Sequence, residues 1–248
     1  MSNVPMPPRA AAMTTQPPTT VESGRSYGGL APGERRAERR ARFIEAAVVA
    51  FGRDGFAGTT TRSLCAEAGL TQRYFYESFV SVEELFEAVA RKLGEDLEAK
   101  LMNAEARSTD SPDTRLRRVL TTYFEAMRKD VNAARILLAE VYTAGERTGS
   151  LAFRFTAHLA DLLEARIDQE YPRLKGKGID SGLMATGFIG ATHHIALKWM
   201  VGGYEQPLSV VVGTAMRLYV GSRRVQRAAP ETTTRRVRTG ERRREPRP

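Results

Sequence analysis

Residues Thr60 to Phe86, TTRSLCAEAGLTQRYFYESFVSVEELF, pack three helix starts and one forced turn into a single short stretch. Thr60 is placed to cap a helix over about Thr61 to Ala68, its hydroxyl accepting an orphan N–H of the opening turn. Leu64 and Ala68 share one side of that helix. Gly69 supplies the left-handed backbone on which helices commonly end. Thr71 is placed to cap a second short helix, which Phe75 and Phe79, four apart, anchor to a core. Ser81 and Glu84 form the S-x-x-E capping box of a third helix opening on Leu85 and Phe86. A helix, a glycine-bearing turn and a short polar-surfaced helix spell a helix-turn-helix, whose second helix enters the DNA major groove.

The flanking segments repeat apolar residues at helical spacing, and no strand-like alternation of useful length occurs, so the fold class is all-α. A first helix over about 34–53 should bury Ile44, Ala47, Val48 and Phe51, with Asp54-Gly55 as its stop. The helix from about Ser81 to Glu105 lines up Phe86, Val89, Leu93, Leu97 and Leu101 and links the head to a larger body. Ser111 and Pro112 start the next, with Leu116, Val119, Leu120, Tyr123, Phe124 and Met127 on one face. Helices follow at about 132–142, 150–170 (Phe155, Leu159, Leu162, Leu163, Ile167), 180–202 and 207–221, with YPRLKGKG as a loop.

Charge is distributed unevenly. The net +9 includes +7 from residues 223–248, where ten Arg face three Glu, while residues 80–222 carry 18 basic and 19 acidic groups. Residues 34–79 hold eight Arg against six acids. One module, not the whole surface, is therefore suited to phosphates. Residues 1–33 and 223–248 lack periodicity and read as disordered tails, the second basic. The expected organisation is thus a DNA-binding head at 34–80 and a helical body at 81–222, with helix 81–105 linking them.

Cys65 is the one cysteine, so no internal disulfide forms, and it is read as a small core residue. The N-terminus lacks the apolar stretch of a signal peptide, and His193, His194 and Lys198 interrupt the longest apolar run, so a soluble cytoplasmic protein without membrane contact is expected. No G-x-S-x-G, phosphate-binding glycine loop, paired carboxylate frame, Cys–His pairing or metal-ligand spacing occurs, so neither an enzyme nor a cofactor is expected.

Together with the preceding helix, the run from Ile44 to Phe86, through FGRDGF, TT, AGLT, FYESF and S-x-E-E-L-F, resembles the DNA-binding domain of TetR-like (tetracycline-repressor-type) transcriptional regulators. The resemblance implies a three-helix head, with a reading helix in the major groove, followed by a larger ligand-binding and dimerisation domain. It implies DNA contacts by Thr71, Gln72, Arg73 and Tyr74 to base edges, and by Thr60, Thr61, Arg62 and Tyr76 to the backbone. Arg39, with Arg35, Arg36, Arg40 and Arg42, is placed to track phosphates or enter the minor groove. Val82 departs from the family, which commonly has a phosphate-holding lysine there; Tyr74 is bulkier than usual.

The resemblance further implies a homodimer on double-stranded DNA with a palindromic operator. The last two helices, about 180–202 and 207–221, are the expected dimer surface, since PLSVVVGTAMRLYVG is apolar nearly all round. A small-molecule effector, hydrophobic or aromatic, would sit among Tyr123, Phe124, Met127, Tyr142, Phe155, His158, His194 and Trp199. His193 and His194, being adjacent, point in different directions. The expected function is a homodimeric repressor released from its operator by that ligand. The alternative is a helical ligand-binding or interaction protein that has lost specific DNA reading.

Overall fold

Phe43 and Phe51, both fully buried, hold the N-terminal head together. The computed structural model describes residues 31–106, 110–170 and 180–228, and every regular element among them is a helix. Helix α1 (Pro32–Gly58) buries Phe43, Ala47, Ala50 and Phe51, with Ile44 and Val48 at the margin of that face. The face is rotated from the expected one because Phe43 meets Phe75 and Phe79 edge-on, at 5.5 and 6.5 Å between ring centroids. Asp54-Gly55 kinks α1 without ending it: Gly55 has φ 76° and ψ 168°, and one further turn continues to Gly58.

Helix α2 (Thr61–Ala68) ends on Gly69 in the left-handed conformation, with φ 62°. Helix α3 (Gln72–Ser78) follows, rooted by Phe75 and Phe79. Thr71 occupies its N-cap position, but the hydroxyl makes no capping bond. That start is exposed, so water can meet the orphan N–H groups. Helix α4 (Val82–Ala106) begins with Ser81 Oγ accepting the Glu84 N–H at 3.2 Å; the Glu84 carboxylate returns to the Val80 N–H at 2.7 Å, one residue earlier than in a strict box. Phe51, Phe56 and Phe86 close the head core as a trio of rings. Burying each such ring contributes roughly 1.5–3 kcal/mol. Cys65 lies in this core, and burial pushes its thiol pKa up.

The body starts with α5 (Pro112–Lys129), capped by Ser111. The single helix expected at about 132–142 is three pieces: α6 (Val131–Arg135), a π-helical turn (Ile136–Glu140) and α7 (Val141–Thr143). Helix α8 (Glu146–Glu170) begins a turn earlier than expected, and α9 (Ser181–Val201) and α10 (Leu208–Ala228) follow. Helix α10 runs past residue 222, where the sequence reading starts the tail. The YPRLKGKG segment, residues 1–30 and residues 229–248 lie outside the described residues.

Two cores meet across the molecule. The head core takes in Ile136, Val141, Ala144 and Ala152 from the body, so the head is seated on the π turn and its neighbours. A second core joins Leu97 and Leu101 of α4 to Phe124, Trp199, Val211 and Met216. Among the described residues, no helix is long and apolar enough to cross a membrane. No cluster of three His, Cys, Asp or Glu suited to a metal occurs among them either.

Candidate nucleic-acid interface and ligand cavity

Phe75 and Phe79 turn inward, which leaves the other face of α3 to solvent. Thr71, Gln72, Arg73, Tyr74 and Tyr76 are all exposed, as are Thr60 and Arg62 on the neighbouring helix start; Thr61 is half-buried. Thr60 caps α2 reciprocally: its Oγ1 accepts the Ser63 N–H at 3.2 Å, and Ser63 Oγ accepts the Thr60 N–H at 3.0 Å. The opening turn is thereby ordered beside a positive helix end.

Arg73 and Tyr74, though exposed, each have a partner within the head. Arg73 Nε donates to Glu77 Oε1 at 3.0 Å. The other Glu77 oxygen lies 3.6 Å from Arg39 Nη2, and the Arg39 guanidinium stacks over the Tyr74 ring at 4.6 Å. Arg39 Nε is buried without a hydrogen-bond partner. Glu77, which sequence reading passed over, therefore ties an α1 arginine to α3. Its only signal was the i,i+4 spacing from Arg73.

Two further arginines expected at phosphates are committed inside the head. Arg40 donates to the Ser78 carbonyl at 2.8 Å and stacks on Phe79, and Arg42 donates to the Ala68 carbonyl at 2.8 Å. Both bond the last carbonyls of short helices, where a cation is favoured. Val82 is half-buried against the head core.

On the far side of α1, the kink at Gly55 leaves the Phe56 N–H without a helical partner. Glu140 Oε2 accepts it at 2.8 Å. Arg135 Nη1 donates to the Gly52 and Arg53 carbonyls at 3.2 and 3.1 Å, and its Nε lies 3.6 Å from Glu140. Helix α6 approaches α1 so closely that a Cβ on Gly52 would lie 2.3 Å from Asn132 Cβ. The same segment, through Leu137, Leu138, Val141 and Tyr142, forms part of a cavity wall.

That cavity, of about 900 Å³, lies between α4, α5, α8 and α9 and is mostly apolar, with Leu101, Leu116, Phe155 and Phe188 among its walls. Arg91, Glu95 and Met102 of α4 and Phe153, Arg154 and His158 of α8 line it and are exposed, which marks the mouth. Glu98 holds His158 there at 3.0 Å. Deeper along α4 and α8, Glu105 pairs with Arg166, and Arg115 of α5 pairs with Glu170.

Of the eight expected ligand residues, Tyr123, Met127, Tyr142, Phe155 and His158 line this cavity. Phe124 and Trp199 do not: they pack edge-on at 6.0 Å in the core, and the indole N–H donates to the Gln206 carbonyl at 2.9 Å. His194 faces outward, and its neighbour His193 lines the cavity instead, because successive helical residues point about 100° apart. Thr192, Arg91 and Arg154 also line it and were not foreseen.

Helices α9 and α10 carry a continuous exposed stripe. On α9 it runs through Leu183, Gly187, Gly190, His194, Lys198 and Val201, and on α10 through Val210, Thr214, Arg217 and Leu218. Leu183 and Val201 are 73% and 77% exposed, unusual for large apolar residues spaced along one helix face.

A family model described as bacterial regulatory proteins, tetR family, matches residues 43–89. The HTH-type transcriptional repressor KstR2 of Rhodococcus jostii (strain RHA1) is 28% identical over 211 residues, covering 83% of this chain and 94% of the relative. A TetR-like transcriptional regulator from Rhodococcus sp. RHA1 superposes with a TM-score of 0.63 at 22% identity, over 75% of this chain and 97% of that one. The transcriptional regulator FadR of Bacillus subtilis, solved in complex with stearoyl-CoA, gives 0.63 at 16% identity, over 73% and 97%. These two superpositions show a shared fold.

Proposed function

We propose, from the premise that this chain is a TetR-like transcriptional regulator, that it acts in the cytoplasm as a homodimeric repressor of a palindromic operator and is released by a small apolar effector. The observation that carries the reading is the outward face of α3, where Gln72, Arg73, Tyr74 and Tyr76 stand exposed above a helix rooted by Phe75 and Phe79. Gln suits adenine and Arg suits guanine in the major groove, while hydroxyls at 60 and 61 suit backbone oxygens. No catalytic step belongs to this reading.

One such helix spans few base pairs. Two heads about 34 Å apart supply the missing affinity, which asks for a dimer. The exposed stripe on α9 and α10 supports that assembly: glycines permit close approach, and Leu183, Val201, Val210 and Leu218 supply apolar area.

The cavity supports an effector, and the FadR structure with stearoyl-CoA makes acyl thioesters the first probes to try. Coupling runs through the segment at 135–142, which meets the cavity on one side and α1 on the other. A ligand that prefers one arrangement of this wall shifts the population of head positions, and operator affinity falls by the matching factor, typically about 5–150-fold. Selection of bound sites from random DNA tests the reading. A two-half-site consensus bound by a dimer is expected; no enriched sequence, or a monomer on DNA, would reject it.

A further inference from the structure

We propose that the effector is not a plain hydrocarbon chain but an apolar body bearing a neutral oxygen function, a hydroxyl or carbonyl, received by the Tyr123 hydroxyl. The inference rests on the effector reading above and narrows the ligand class of the same cavity. Tyr123 lies on α5 and lines the cavity; among the described residues its hydroxyl has no hydrogen-bond partner, and its ring contact is with Phe124 at 5.2 Å. Tyr123 is half-buried in the cavity wall, and a polar group there without a protein partner is normally satisfied by water or ligand.

Other uncharged polar groups line the same cavity. Thr192, on α9, is 7% exposed and lines the same cavity, and its Oγ1 is buried with no partner. Tyr142 also lines the cavity and packs edge-on against His193 at 5.4 Å. Burial, and then the neighbouring His194, hold the His193 pKa below its ordinary value, and the imidazole stays neutral. Burial first, and then proximity to Tyr142, raise the Tyr123 pKa, so the phenol remains a donor. The cations that line the cavity sit elsewhere, Arg91 and Arg154 at the mouth and Arg115 and Arg166 in ion pairs. A carboxylate beside Tyr123 would therefore lack a counter-charge, whereas a hydroxyl or ketone finds both donors and acceptors.

An alkyl-lined cavity disfavours an added hydroxyl, because desolvating it without a partner is costly. Binding of hexadecanoic acid to the full-length protein is compared by calorimetry with that of positional isomers carrying one chain hydroxyl. At least one isomer is expected to bind about tenfold tighter than the parent acid. The ratio of isomer to parent affinity, taken within each variant, should fall to about one in Tyr123→Phe, which keeps the ring, and shrink in Thr192→Val. If every hydroxylated isomer binds more weakly than the parent, or the gain survives Tyr123→Phe, the inference is overturned and the effector reading stands. If neither these acids nor their coenzyme A thioesters bind, both fall.

Discussion

Glu140 accepts the backbone N–H of Phe56 across 84 residues of sequence, at 2.8 Å, and is the bond that closes the break in α1. The N–H exists as an orphan because Gly55 leaves helical geometry, and the carboxylate is delivered by a π-helical turn that also walls the cavity.

Glu140→Ala should leave that N–H half-buried and unpaired, at a loss of about 1–3 kcal/mol. Urea unfolding should report the loss. Gel-shift titrations with stearoyl-CoA should show a smaller release of operator DNA than in wild type. An unchanged stability together with unchanged release would disconnect this contact from the coupling.

Gly52→Ala introduces a methyl where Asn132 Cβ would stand 2.3 Å away. Overpacking of this kind costs about 1–3 kcal/mol. Because the clash forces α1 off α6, we expect a lower melting temperature by calorimetry. Gly149→Ala, on α8, has nothing within 4 Å of its new methyl and is the matched control.

Glu77→Ala removes the acid shared by Arg39 and Arg73. Non-specific DNA affinity should rise with the added positive charge, and the salt dependence should steepen. Discrimination among operator variants should fall, because Arg73 loses its brace. Arg73→Ala should instead cost about 1–3 kcal/mol at a single base pair. Fluorescence anisotropy on operator and scrambled duplexes separates the two.

His193 gives a pH dependence of known sign. Its folded pKa is depressed, first by burial, so the unfolded chain binds more protons below the ordinary histidine value of 6.5. Stability is then lost as pH falls through that value and below. The drop in melting temperature between pH 7.5 and pH 5.5 should be smaller in His193→Gln than in wild type. Equal drops would remove His193 from the account.

The head was legible because its signals are local. Caps at Thr60, Ser81 and Ser111 and the Phe75–Phe79 spacing each decide structure within a turn. The cavity was half legible: Tyr123 and Phe155 declare themselves by helical phase, but the choice between His193 and His194 depends on how α9 is rotated against α5 and α8. The π turn was hidden, since in the apolar run Ile136 to Ala139 the wider turn leaves no gap in the pattern. The partners of Arg40 and Arg42 lie 38 and 26 residues away, beyond the reach of spacing rules.

The inward use of Arg40 and Arg42 bears on how the proposed regulator would meet DNA. A count of basic residues near the N-terminus overstates the number of counterions displaced from the duplex, since each phosphate neutralised contributes a slope of only about 0.9 in log affinity against log salt. The same bonds fasten α1 to α2 and α3 before any DNA arrives. Recognition then begins from a head already in its working shape, with fewer ionic grips and little left to order.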